Sequence, residues 1–366
     1  MNNIVYRLHI ILCILFLLSA CKADKKIKQL SNFEHISSRY DLALEPYLKN
    51  FKSITPGYKS VMSPEEKVNR ELVSLGHRLY FEKDLSIDKS LNCNSCHDLQ
   101  KYGVDNIVFS YGVGKKKLTR NTPTVLNSTL DTLQSWDGHA SSITSQISSH
   151  LLSSPVMGGT HEVLESRVSS SGMYKKLFRK AYPETRSDID IHKISEAIAA
   201  FEAELITPSR FDKYLDGDKD ALSLMEKRGL LSFINVGCVE CHAGPALGGD
   251  IFKKFGVHKN YWEITGAHQI DSGRFVVTGK KEDLYVFKVP SLRNIEKTYP
   301  YFHDGSVKQL RQAVGIMAEL QLGYRLSTEE LDNITAFLRT LNGEVRALYK
   351  VPPPTVLDNK IDSINN

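Results

Sequence analysis

No apolar run in this 366-residue chain is long enough to cross a membrane. The one long stretch, Leu8 to Leu18, is about half of what a spanning helix needs. It follows Arg7 and ends in Leu18-Ser19-Ala20-Cys21, which reads as a signal-peptide core closed by a lipobox. The expectation is that residues 1–20 are removed and that Cys21 carries a lipid holding an exported, periplasmic protein to a bacterial membrane. An ordinary secretory signal cleaved nearby is the alternative, and export is common to both. Excess charge is also missing: 47 Lys+Arg against 42 Asp+Glu gives +5, and losing Arg7 with the signal leaves +4. That balance offers nothing for nucleic acid, and the Lys115-Lys116-Lys117 run reads as a solvated loop. Strand signals are few, mainly Arg274 to Thr278 and Tyr285 to Lys288. With 41% hydrophobic and 24% charged residues, the chain reads as soluble, mostly helical and long enough for two domains.

Cysteine is scarce as well, at 6 residues, yet four of them fall in one string used twice. These are Cys93-Asn94-Ser95-Cys96-His97 and Cys238-Val239-Glu240-Cys241-His242. Shuffling 6 Cys and 12 His would give roughly 0.003 copies by chance. Two thiols about one helical turn apart can each form a thioether with a haem vinyl group while the next imidazole reaches the iron. His97 and His242 are therefore proposed proximal ligands of two haem c groups. A zinc site or redox pair would be the other use of four thiols, but each pair is followed directly by His and there is no third pair. With Cys13 leaving in the signal and Cys21 lipidated, no structural disulfide remains to be made. Four haem propionates would bring the loaded protein to about neutral.

Periodicity places the helices. Residues 21–62 are polar and read as a tether, with a helix around Tyr40 to Phe51. Ser63-Pro64-Glu65-Glu66 is a start signal for a helix through about Tyr80. Ile194, Ala197, Ile198, Phe201 and Leu205 mark one buried helix face that stops before Pro208. Ser327 caps another helix with Leu331, Ile334, Phe337, Leu338 and Leu341 inward, and Gly343 is its expected stop. The expected architecture is mostly α: two cytochrome c-like domains, residues 63–207 and 208–346, each wrapped around one covalently attached haem, with 347–366 as a tail.

Seven further strings carry a resemblance: Leu79-Tyr80-Phe81; Arg120-Asn121-Thr122-Pro123-Thr124-Val125-Leu126-Asn127; Trp136-Asp137-Gly138; Phe211-Asp212-Lys213-Tyr214-Leu215; Gly244-Pro245-Ala246-Leu247-Gly248-Gly249; Val289-Pro290-Ser291-Leu292-Arg293-Asn294; and Pro300-Tyr301-Phe302-His303-Asp304-Gly305-Ser306. In order and over about 270 residues, they resemble the bacterial di-haem cytochrome c peroxidases. The resemblance implies that a C-terminal haem takes electrons from a small donor such as cytochrome c and that an N-terminal haem reduces hydrogen peroxide to water. It makes Met317 the sixth ligand of the C-terminal haem, a pairing with His that raises the potential. It sets Trp136 between the haems, and it makes Asn121 with the carbonyls of Thr298 and Pro300 a calcium site, oxygen ligands suited to a hard cation. Homodimers are frequent in that family.

Two positions depart from the family pattern. Where the family has a distal histidine in a Ser-x-Gly-His string, Ser110-Tyr111-Gly112-Val113-Gly114 carries Val113. Where it has a catalytic glutamate, Pro155-Val156-Met157-Gly158-Gly159 carries none. Splitting the O–O bond heterolytically needs a group that takes a proton from one peroxide oxygen and returns it to the departing one, which valine cannot do. His161 and Glu162 are the candidate substitutes, with His150 behind them. Two other readings follow from the same departures. One is an electron carrier or redox sensor. The other is an oxidase of a partner protein like the MauG-type di-haem proteins, against which Met317 counts because those have tyrosine at that position.

Overall fold

The computed structural model describes residues 35–55, 69–184, 188–267 and 269–354. The proposed signal, Cys21 and the Ser63 start signal lie outside these residues. Among the described residues no helix is long and apolar enough to cross a membrane. Residues 35–44 form α1, continued by a 3-10 stretch Glu45–Asn50. Then come α2 (Arg70–Tyr80), α3 (Ile143–Leu152), α4 (His161–Ser170), α5 (Gly172–Ala181), α6 (Ile191–Glu202), α7 (Arg210–Leu215) and α8 (Leu224–Val236). Strands β1 (Phe252–Lys254) and β2 (Val286–Lys288) pair antiparallel, and α9 (Leu310–Leu322) and α10 (Thr328–Arg339) complete the order.

Two helix pairs organise the molecule, and glycine makes each crossing possible. In the first, Gly76 of α2 lies against Ala197 O of α6, where an added Cβ would sit 1.7 Å from that oxygen and 3.0 Å from Phe201 Cβ. In the second, Gly229 of α8 lies against Asn333 O of α10, with the corresponding distances 1.9 Å and, to Phe337 Cβ, 2.9 Å. No side chain fits either place, so the backbones meet directly. Side-chain caps fix the ends: Asn69 accepts from Leu72 N, Asp190 from Lys193 N, and Ser223 and Ser327 form capping boxes with Glu226 and Glu330. The faces expected to be buried are buried, with Ile194, Ala197, Ile198 and Phe201 at 0% exposure.

Each helix pair anchors its own core. The first runs from Val73 to Leu205 and adds Val345 and Tyr349. The second spans Phe211 to Leu341 and adds Leu44 and Phe51. The two ends of the chain therefore exchange places, and this differs from the tether and tail readings. Gly244 N donates to Asn50 O at 2.7 Å, Ile54 N donates to Asp212 Oδ1 at 2.9 Å, and buried Lys227 pairs with Asp41 at 2.8 Å. At the other end, His77 Nε2 meets Val351 O at 3.0 Å. Polar composition hid this role because a few residues of the leading segment, Leu44, Leu48, Phe51 and Ile54, carry the packing.

Two local expectations fail for identifiable reasons. Phe275–Thr278 is a helical turn, closed by Gly279 at φ +68°, although its β-branched residues suggested a strand. α10 stops at Arg339, before Gly343. Gly343 instead lets the chain pass the Thr207 and Pro208 carbonyls, which an added Cβ would meet at 2.3 and 2.4 Å.

Candidate haem and peroxide site

The two Cys-x-x-Cys-His strings sit on short turns directly beside the helix crossings. Asn92 opens the first turn, Cys93–Cys96, in a box with Ser95, and its amide also donates to Phe81 O at the end of α2. Gly237, at φ +101°, ends α8 and starts the second turn, Cys238–Glu240. In both, the histidine N–H returns to the first cysteine carbonyl, at 2.9 Å for His97 and 3.0 Å for His242. His97 Nδ1 faces Gly103 O at 3.3 Å and His242 Nδ1 faces Leu247 O at 2.9 Å. A carbonyl can only accept, so Nδ1 carries the proton and Nε2 keeps the lone pair an iron needs. Burial lowers the pKa of both imidazoles, which favours the neutral, ligating form.

All four cysteines are free, and burial raises each pKa, that of Cys96 to about 11 and that of Cys238 to about 12. Among the described residues no three or more His, Cys, Asp or Glu side chains converge on one point. The second string opens on a cavity of about 250 Å³ lined by Cys238, Cys241, His242 and, from α9, Met317. Phe233, Leu322 and Leu338 supply apolar walls. Two thiols, an imidazole and a thioether around one apolar cavity fit a covalently held haem with His and Met as axial ligands. Tyr324 does not line this cavity; it is exposed and donates to Glu330 at 3.1 Å.

Trp136, Asn121, Thr298 and Pro300 line the same cavity. Trp136 Nε1 donates to Asn121 O at 2.8 Å, Lys288 N of β2 donates to the Trp136 backbone carbonyl at 2.8 Å, and Trp136 packs against the cluster of Phe255, Tyr261 and Phe287. Asn121 Nδ2 donates to Ile107 O at 2.9 Å and Val108 O at 3.2 Å, which turns its Oδ1 the other way. Arg120 links the two halves: it pairs with Asp137 at 2.6 Å and with Asp271 at 2.6 Å. Deeper in the second half, Asp212 and Arg293 form an ion pair at 2.9 Å with both side chains fully buried.

The two departing positions come together. Val113 N donates to Val156 O at 2.9 Å, and Gly112 is required because a Cβ there would lie 1.7 Å from Pro155 O. Val113 and Met157 are buried, and Val113 and Ile87 crowd Gly158. The wall where the family carries its histidine and glutamate is thus apolar. The expected substitutes do not fill the gap. His161 and Glu162 are the first two residues of α4, capped by Thr160, and both face solvent; His161 meets Glu165 at 3.3 Å. A helix start favours this exposure, since its free N–H groups and dipole attract a solvated acid.

His150, near the end of α3, is the one placed inward. Its carbonyl accepts from Met157 N at 3.3 Å, tying it to the same loop. Burial, then the charges of His97 and His139, lower its pKa to about 4. His139 is itself held by Asp137 at 2.7 Å. Sequence reading undervalued His150 because it sits in an ordinary Ser149-His150-Leu151 stretch and nothing local marks it as lying near His97.

Comparison with known proteins agrees with this geometry. Residues 70–220 match the family model described as di-haem cytochrome c peroxidase. The chain is 43% identical over 290 residues to cytochrome c551 peroxidase of Nitrosomonas europaea, covering 78% of this chain and 85% of that protein. It is 39% identical over 290 residues to cytochrome c551 peroxidase of Pseudomonas aeruginosa, covering 79% and 84%. A solved MauG-like protein associated with microbial copper homeostasis superposes with a TM-score of 0.68 at 26% identity, covering 80% of this chain and 95% of that one. With two haem-attachment turns on paired helix crossings and this identity over most of its length, the chain belongs to the di-haem cytochrome c peroxidase family.

Proposed function

We propose that the protein is a cytochrome c peroxidase that reduces hydrogen peroxide with electrons from a small c-type cytochrome. The observation that carries this is the pair of Cys-x-x-Cys-His turns, with Trp136 lining the cavity at the second, in a chain 43% identical to a cytochrome c551 peroxidase. Bound at the two turns, the haems supply the electron transfer for H2O2 + 2e⁻ + 2H⁺ → 2H2O. His97 and His242 present Nε2 to the irons, and Met317 is assigned to the second iron, which suits the electron-accepting side. Trp136 is assigned to the path between the two units, which divide at Pro208. Asn121 and the carbonyls of Thr298 and Pro300 are assigned to a calcium ion that would fix the two units together. His150 is assigned the proton transfer that His161 and Glu162 are too exposed to perform. Export to the periplasm and a lipid on Cys21 complete the reading.

The apolar wall of Val113 and Val156 supports a second reading, an electron-transfer or redox-sensing protein with weak peroxidase activity. Stopped-flow absorbance separates them. Haem-loaded protein, reduced at the C-terminal haem only, is mixed with hydrogen peroxide and then with reduced cytochrome c. Rapid stoichiometric peroxide loss and cytochrome oxidation support the peroxidase; slow, unsaturable peroxide loss with intact transfer between the haems favours the carrier.

A further inference from the structure

The two helix crossings place residues of the two units in register. Gly76 corresponds to Gly229, Ala197 O to Asn333 O, and Phe201 to Phe337, each pair making the same backbone approach. The next residue along is Glu202 in the first unit and Leu338 in the second. Leu338 lines the cavity beside Cys238 and His242, so the register puts Glu202 at the equivalent place in the first unit, beside the Cys93–Cys96 turn. Its surroundings agree. Glu202 is 5% exposed, its carboxyl makes no hydrogen bond or ion pair with another described residue, and it lies close enough to Cys93 and Tyr80 for its charge to raise both their pKa values. Tyr80 in turn donates to His97 O at 2.6 Å.

We propose that Glu202 is a redox-linked proton site of the N-terminal haem, a function the C-terminal unit has replaced with Leu338. This rests on haem attachment at Cys93 and Cys96. As the iron gains one electron, Glu202 Oε takes one proton from solvent, converting carboxylate to carboxylic acid; oxidation returns both, so charge and atoms balance. The sign follows from Coulomb's law: ferric iron carries one more positive charge and favours the carboxylate, ferrous iron favours the acid. Burial alone raises the Glu202 pKa to about 8, which puts the exchange near neutral pH. The groups around it do not cancel this. Tyr80 faces from α2, while His77 of the same helix stacks on Phe201 with its Nε2 at Val351 O. Cys93 faces from the haem turn, and beyond Glu202, Glu204 is held by Arg70 and Tyr349.

The test is a spectropotentiometric titration of the holoprotein across pH, reading each haem separately, for wild type, Glu202→Gln and Leu338→Glu. The expected wild-type potential of the N-terminal haem falls by up to about 59 mV per pH unit near neutrality, one tenfold change in proton activity per electron. Glu202→Gln flattens that slope, and Leu338→Glu creates one at the C-terminal haem. A slope that survives in Glu202→Gln overturns the proposal. If that variant fails to load haem, reduced-minus-oxidised infrared spectra of wild type decide: a carboxylic-acid C=O band gained on reduction supports the proposal, and its absence overturns it. A pyridine haemochrome count below two covalent haems would instead mean that the attachment reading itself has failed.

Discussion

Replacing His150 with leucine removes the one inward-facing imidazole beside the apolar wall of Val113 and Met157 while keeping the site filled. With a pKa near 4, His150 is neutral about a thousandfold over charged at pH 7, and so can accept a proton. A positioned acid–base group contributes about 10²- to 10⁴-fold, equivalent to about 3–5 kcal/mol at 1.36 kcal/mol per decade. The expected result for His150→Leu is therefore a loss of at least about 100-fold in the second-order rate constant with peroxide. Haem content should be unchanged, and His161→Ala and Glu162→Gln should stay within about twofold of wild type. The wild-type rate should rise with pH through about 4 as His150 loses its proton, then level off, and the variant should lack that limb. Stopped-flow absorbance from pH 3.5 to 8 reads both quantities. An unchanged rate constant would refute the assignment. A faster variant would refute it differently, by showing that His150 occupies the iron as a ligand and hinders peroxide.

Gly229→Ala forces a methyl against Asn333 O, where the ideal Cβ would be 1.9 Å away; overpacking costs about 1–3 kcal/mol, so thermal unfolding of the holoprotein should shift down by several degrees, and an unaltered Tm would contradict the crossing. Asp212→Asn leaves Arg293 buried without its counter-charge and should destabilise by about 3–5 kcal/mol at neutral pH, measurable by urea denaturation. Burial would raise the Asp212 pKa, but Arg293 and Ser209 hold it below the usual carboxylate range. Its contribution is therefore full above the unfolded pKa of about 3.9 and is lost as pH falls through the folded value, a limb the variant should lack. Met317→Ala removes the proposed axial thioether and should lower the C-terminal haem potential, with a high-spin ferrous spectrum; an unshifted potential would assign the ligand elsewhere. Chelation with EGTA should lower the rate of electron transfer between the haems if Asn121, Thr298 and Pro300 hold calcium, and calcium but not magnesium should restore it.

Periodicity found the helices that carry the cores, because a buried face leaves a record every three or four residues, as Ile194 to Phe201 and Ile334 to Phe337 do. The haem-attachment strings were legible for a different reason: their chemistry demands contiguous residues. What was hidden depends on contacts distant in sequence. Gly76 and Gly229 look like ordinary interior glycines until the facing carbonyls of Ala197 and Asn333 are in place. Leu44 and Phe51 look like tether until they meet the core of Phe211 and Leu341. His150 and His161 are indistinguishable as letters, and only the end of one helix facing inward and the start of another facing solvent separates them.

The same helix crossing, used twice, gives the two units different chemistry through a handful of side chains. In the second unit Met317, His242 and Leu338 line one cavity, and with Met317 as the proposed second axial ligand of that iron, the register position of Glu202 is held by a residue that cannot ionise. A leucine at that register adds no proton site of its own, and a His/Met pair suits transfer of one electron at a time. In the first unit buried Val113 takes the place of the family's distal histidine, His150 is the proposed acid–base group, and Glu202 stands where the second unit has the leucine. Peroxide reduction consumes two protons with two electrons, so the unit that performs it needs titratable groups that the relay does not. The asymmetry between Glu202 and Leu338 falls on the side that this stoichiometry requires, and exchanging the two residues should move pH sensitivity from one haem to the other without altering either attachment turn.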